Sequence, residues 1–169
     1  MLALACGDDG DAEAASETPS PQSQDTTTTT VTPEAEVEAA YLAYWDMLDR
    51  LSQAPDPNDP EIAQHVSGEA LLEVIDGLRT LRAQGHVAQI GPQYAHSVLT
   101  VEVRGNRAVV RDCVVDDSTI VNEATGQVIE GGEAATGVLE VTMLVRDSRW
   151  QVDSVDRVST EPGVTACER

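Results

Sequence analysis

Lysine and phenylalanine are both absent from the 169 residues, arginine occurs ten times, and aromatic side chains make up only 3%. Nucleic-acid binding is therefore set aside, because phosphate backbones need clustered cations and unpaired bases need stacking faces. Thirty acidic residues leave a net charge of -20 and a pI near 4.1. Such a chain is repelled by anionic lipid unless a covalent group holds it there. No stretch approaches the ~20 consecutive apolar residues of a spanning helix. No C-x-x-C or H-E-x-x-H spacing marks a metal site, and no local signature marks a reactive cysteine, so no metal or cofactor is expected. What the chain does have is 41% hydrophobic residues, enough for one modest core, hence one domain and a tail.

The chain opens Met-Leu-Ala-Leu-Ala and runs directly into Cys6, Gly7, Asp8 and Asp9. Small residues before a cysteine read as the end of a signal peptide, and the arrangement resembles a bacterial lipobox, whose cysteine is lipidated and becomes the mature N-terminus. Five positions cannot hold a charged n-region and an apolar h-region, so the true start is expected upstream. The alternative is a short apolar N-terminus with a stray cysteine. Residues 7–32 contain six acids, no cation and the run Thr26 to Thr30. They cannot bury enough apolar surface to offset chain entropy, and are expected to form a disordered tether with a reach of roughly 30 Å. The segment also reads as a biased linker, and its Thr, Ser and Pro content permits O-glycosylation.

Helical periodicity begins with Thr32 as N-cap and Pro33 at the first helical position, followed by Val37, Tyr41, Tyr44, Leu48 and Leu51 on one stripe. The helix should stop near Ser52, before Pro55, Pro57 and Pro60. Asp59-Pro60 reads as the start of a short second helix through His65. Ser67-Gly68-Glu69 opens a third, with Leu71, Val74, Ile75, Leu78 and Leu81 on one face and Gly85 as its left-handed stop. Beyond Gly85 the period becomes two. Leu99, Val101 and Val103 pair across Gly105-Asn106 with Ala108 to Val115, and Thr119 to Asn122 with Gln127 to Glu130. Leu139 to Val145 turns at Asp147-Ser148 into Trp150 and Val152, and the apolar phase slips at Val155, which predicts a bulge. Helices followed by hairpins predict an α+β domain over 33–169, with three N-terminal helices packed on a curved, mostly antiparallel sheet.

The stretches Ala-Tyr-Leu-Ala-Tyr-Trp-Asp (40–46), Ser-Gly-Glu-Ala-Leu (67–71), Leu-Arg-Ala-Gln-Gly (81–85), Arg-Asp-Cys-Val-Val-Asp-Asp-Ser (111–118) and Arg-Asp-Ser-Arg-Trp-Gln-Val (146–152), with the Pro-Asp-Pro-Asn-Asp-Pro linker, resemble actinobacterial extracytoplasmic lipoproteins with a nuclear transport factor 2-like domain. The resemblance covers about residues 33 to 167 and implies a cone-shaped sheet curled around the first helix, with a cavity at the wide end. It implies no catalytic residue, and the fold alone licenses no reaction.

With Cys6 lipidated outside the cytoplasm, Cys113 and Cys167 form an even pair in an oxidising compartment, and a disulfide between them is predicted. The alternative is two reduced thiols. The weak catalytic candidates are Asp112, Tyr41, Tyr44 and His65. Asp112 interrupts the alternation on the side of Ala108, Val110 and Val114, so it reads as a buried base or an ordinary surface acid depending on which way that side faces. Tyr41 and Tyr44 read as core, Trp45 as a cap on helix–sheet packing, His65 and His96 as surface or satisfied histidines, and His86 as lying on an exposed turn after the helix stop. Asp116-Asp117 makes a poor cation cage, because adjacent strand residues point to opposite faces.

The function read from these features is a binding or scaffolding module, non-catalytic, anchored through Cys6 to the outer face of the cell membrane, or secreted if unanchored. Its partners would be a small apolar ligand, a partner protein, or a second copy of itself through the sheet face. The alternative is a small-molecule enzyme of the ketosteroid isomerase or dehydratase type with an acid/base in the cone cavity. That enzyme requires a pocket where Asp112 or a histidine converges with Tyr41 or Tyr44. A carrier requires a roomy apolar cavity without that convergence.

Overall fold

The computed structural model describes residues 31–167, so the expectations for Cys6 and for residues 7–30 lie outside the described residues. Helix α1 spans Pro33–Gln53, α2 Ile62–His65 and α3 Gly68–Gln84. The strands are β1 His86–Gln89, β2 Ala95–Arg104, β3 Arg107–Asp116, β4 Thr119–Asn122, β5 Val128–Gly131, β6 Ala135–Arg146 and β7 Arg149–Pro162. All pairing between strands is antiparallel, and the α+β class expected from the sequence is the one present.

Thr32 caps α1 as its spacing requires, with Oγ1 accepting the Ala35 N–H at 3.3 Å. The buried stripe is Val37, Tyr41, Tyr44, Met47 and Leu51, so Met47 takes the fully buried place expected of Leu48, which packs at the margin. Asp59-Pro60 forms a turn rather than helix, and α2 begins only at Ile62. Helix α3 starts where expected because Gly68 takes φ +56°, and a Cβ there would lie 2.4 Å from Asp153 Oδ1. Only glycine fits both demands. Gly85 ends the helix in the left-handed conformation.

The strands form two sheets, β2-β3-β6-β7 and β1-β4-β5. The slip at Val155 is a bulge: Thr142 pairs with Ser154 and Met143 with Val152, leaving Asp153 extra. Val158 is extra in the same way, between Arg157 and Ser159. A third irregularity, at Leu99, was not legible. Val98 pairs with Asp112 and Thr100 with Arg111, so Val98 rather than Leu99 joins Val101 and Val103 against the core. Val110, Val141, Met143 and Val152 are fully buried beneath α1 and α3. Each such side chain contributes about 1.5–3 kcal/mol of burial free energy.

Cys113 on β3 is bonded to Cys167, with Cα atoms 5.8 Å apart. The residues after β7 lie against the start of β6, where Gly163 N–H donates to Ala134 O at 2.7 Å and Thr165 N–H to Thr136 Oγ1 at 2.9 Å. The first turns of α1 lie by the β6–β7 hairpin, since Glu36 and Ala40 share a hollow with Ser148, Arg149 and Trp150. The last turns lie by the start of β2, where Tyr94 meets Asp49.

Candidate functional site

Four of the chain's five aromatic residues, Tyr41, Tyr44, Trp45 and Tyr94, gather around His96. Helix α1 presents Tyr41 and Trp45 one turn apart, and β2 brings His96 beneath them. The imidazole stacks on the indole of Trp45 with centroids 4.5 Å apart and planes at 28°.

Asp112, wholly buried on β3, is the acceptor at the centre. Its Oδ2 accepts the Tyr41 hydroxyl at 2.7 Å and contacts His96 Nδ1, and its Oδ1 accepts the Ser97 N–H at 2.8 Å. Three donors on one carboxylate are what allow an acid to sit in an apolar core. His96 Nε2 meets the Tyr94 hydroxyl at 3.0 Å, and Tyr94 donates to Asp49 Oδ1 at 2.9 Å. A phenol has one proton, so with Tyr94 donating to Asp49 its oxygen accepts from His96 Nε2–H. Nδ1 meanwhile faces Asp112 Oδ2. The chain Asp49–Tyr94–His96–Asp112–Tyr41 is then continuous, with the imidazole stacked on the face of Trp45.

The phenols stay protonated. Burial first, then the charge of Asp112, pushes Tyr41 far up, and burial with Asp49 does the same for Tyr94. Burial also raises the Asp49 carboxyl, against the lowering effects of Tyr94 and His96. A carboxyl raised in the folded state holds its proton longer than in the unfolded chain, so stability falls as pH rises from the unfolded pKa through the folded one. Asp49→Asn keeps an acceptor for Tyr94 and removes that loss. It should be more stable than wild type at pH 7, with the gap closing on acidification, as read by urea denaturation across pH.

Asp112 and Tyr41 are fully buried and the His96 side chain is 8% exposed. None of the three lines the groove described next. His65 stays apart on α2, its Nε2 3.7 Å from Glu61. His86, expected on an exposed turn, begins β1 and is half-buried. Asp117 lies buried in the turn before β4, where Oδ2 accepts the Gln93 N–H at 3.0 Å.

The open space lies on the other side of Trp45. A groove of about 710 Å³ runs between α1, α3 and the inner faces of β6 and β7, with Leu48, Val74, Leu78, Leu139 and Val155 among its walls. Its size is that of a small-molecule site. Two features of its lining stand out. Tyr44 is 4% exposed and its hydroxyl makes no hydrogen bond among the described residues, near Glu73, whose charge together with burial holds the phenol protonated. Gly77, mid-helix in α3, has nothing within 4 Å of where a Cβ would be, so the groove owes part of its room to a missing side chain.

No protein-family model matches the chain, and no curated protein matches it in sequence. Solved structures do match in fold. The intermembrane space region of the chloroplast protein ARC6 superposes with a TM-score of 0.61 at 14% identity, covering 76% of this chain and 98% of that one. Kfla4162 from Kribbella flavida follows at 0.50 and 13%, covering 74% and 93%. A ketosteroid isomerase-like protein from Erwinia carotovora atroseptica SCRI1043 scores 0.46 at 20% identity, covering 75% and 96%, too low to carry weight. At such identities the likeness is one of fold alone. The fold is the α+β arrangement of helices packed on antiparallel sheet that was expected from the sequence.

Proposed function

We propose that the chain is a lipid-anchored, extracytoplasmic binding module that holds a small apolar molecule in the groove between α1, α3 and the sheet. The observation that carries this reading is the separation of the two features. The acid–imidazole cluster is closed off and held by its own hydrogen bonds, whereas the groove is roomy and mostly apolar, and neither Asp112 nor a histidine lines it. Tyr44 supplies the groove with one hydroxyl that has no hydrogen bond among the described residues, which suits a ligand with an apolar body and a single hydrogen-bonding group. The anchor is supported by Leu-Ala-Leu-Ala before Cys6, and the oxidising compartment by the Cys113–Cys167 bond.

Gly77→Leu separates binding from folding. Leucine is the better helix former, so α3 should be stabilised by about 0.5 kcal/mol, while the new side chain enters the groove. Titration with the neutral apolar dye Nile red, followed by dye emission and Trp45 fluorescence, should show affinity falling by roughly tenfold or more, with a smaller loss for Tyr44→Phe. Unchanged affinity in Gly77→Leu would place binding elsewhere and overturn the reading.

A further inference from the structure

The ten arginines are divided by where they sit. Those on the helices are paired: Arg50 with Glu61 and Asp59, Arg79 with Asp76, Arg82 with Asp56. Four others close two hairpins, Arg-Gly-Asn-Arg at 104–107 and Arg-Asp-Ser-Arg at 146–149, and all four are exposed. In each hairpin the arginines are direct cross-strand partners, Arg104 opposite Arg107 and Arg146 opposite Arg149. The hairpins are neighbours, joined by Val145 N–H donating to Asn106 O at 2.9 Å.

Like charges directly opposite one another disfavour a strand pair. The second hairpin adds two non-glycine residues at positive φ, Asp147 and Ser148. In a protein with thirty acids, an acidic partner for each arginine is the easy local choice, yet among the described residues Arg104 alone of the four has one, Glu102 at 3.1 Å. Arg107 reaches Thr142, and Arg149 reaches Gln64. Local rules broken at one place in a fold mark a place where something else is served. Clustered guanidinium groups are suited to phosphate, which they grip in pairs.

The position of the cluster identifies the partner. The β6–β7 hairpin lies beside the first turns of α1, where the chain arrives from Cys6. Glu34 and Glu36 lie on the first turn of α1, with Glu36 in the hollow it shares with Arg149, so the more cationic part is the sheet side, at Arg107 and Arg146. Glu102 and Asp147 lie within the two hairpins, and Glu102 engages Arg104, so Arg107, Arg146 and Arg149 carry the positive charge that has no ion pair among the described residues.

We propose that the two arginine hairpins rest on the anionic headgroups of the membrane to which the chain is anchored, tilting the domain on its sheet side with the groove turned away. This rests on the anchored reading above and assigns the anchored domain an orientation.

Cys6 is the one cysteine outside the disulfide, so the full chain can be coupled through it to a maleimide lipid in vesicles. Modification by phenylglyoxal, mapped by mass spectrometry, should be about threefold or more slower at Arg107, Arg146 and Arg149 on phosphatidylcholine vesicles containing phosphatidylglycerol than on phosphatidylcholine alone. Arg79 and Arg82 should react alike on both, and high salt should erase the difference. Arg146→Gln with Arg149→Gln should remove the protection of Arg107. Equal rates on the two membranes, or protection of Arg79 and Arg82 instead, would overturn the orientation. Because the coupling is chemical, this result is independent of whether native Cys6 carries an acyl group, which mass spectrometry of the native chain decides separately.

Discussion

Asp112→Ala should come close to unfolding the protein. The substitution leaves a small void and takes from the Tyr41 hydroxyl, His96 Nδ1 and the Ser97 amide their common partner. Each buried donor left without its acceptor typically costs about 1–3 kcal/mol, because it stays desolvated and unpaired. Domains of this size have about 5–15 kcal/mol in total. Asp112→Asn should cost less, since its carbonyl oxygen still accepts one donor while its amide group faces a second. Urea denaturation monitored by circular dichroism measures both. A midpoint for Asp112→Ala within error of wild type would mean that the cluster around His96 does not bear on the fold.

Loss of the Cys113–Cys167 bond is the second large effect. The two cysteines are 54 residues apart in sequence, and closing a loop of that length restricts the unfolded chain by about 4 kcal/mol on the loop-entropy relation. Cys113→Ser with Cys167→Ser should lower the denaturation midpoint accordingly and free the segment after β7 from the start of β6. Proteolysis should then cut first near Gly163, where few apolar contacts hold the backbone. Because Asp112 and Cys113 are adjacent but point to opposite faces of β3, the two losses should be close to additive. An unchanged midpoint in the double serine variant would contradict the stabilising role of the bond.

Much of this fold could be read from the residues, for reasons that are local. Thr32-Pro33 and Gly85 act within one turn of themselves, and the Val155 slip is visible because one extra residue displaces a two-residue period. Asp112 stood out as a charged residue among Ala108, Val110 and Val114. What escaped was set at longer range. Strand β1 has only four residues and is held by β4, about thirty-five positions away, so its own sequence scarcely marks it. The meeting of His96 with Asp112 depends on the register of β2 against β3, which the bulge at Leu99 shifts by one residue. Tyr94 and Asp49 were not singled out, although the crowding of aromatics into 41–45 in a chain with so few was the available signal. The groove depends on how α3 lies over β6 and β7, and no periodicity encodes that angle.

The reading of the groove as the working site meets its most direct test in native mass spectrometry of the wild-type chain and of Gly77→Leu, each purified gently from the membranes of its source cells. The wild-type protein should retain a small apolar molecule that the leucine variant, equally folded, has lost. A wild-type chain with no such adduct, or the same adduct on both proteins, would contradict a groove built to hold a ligand.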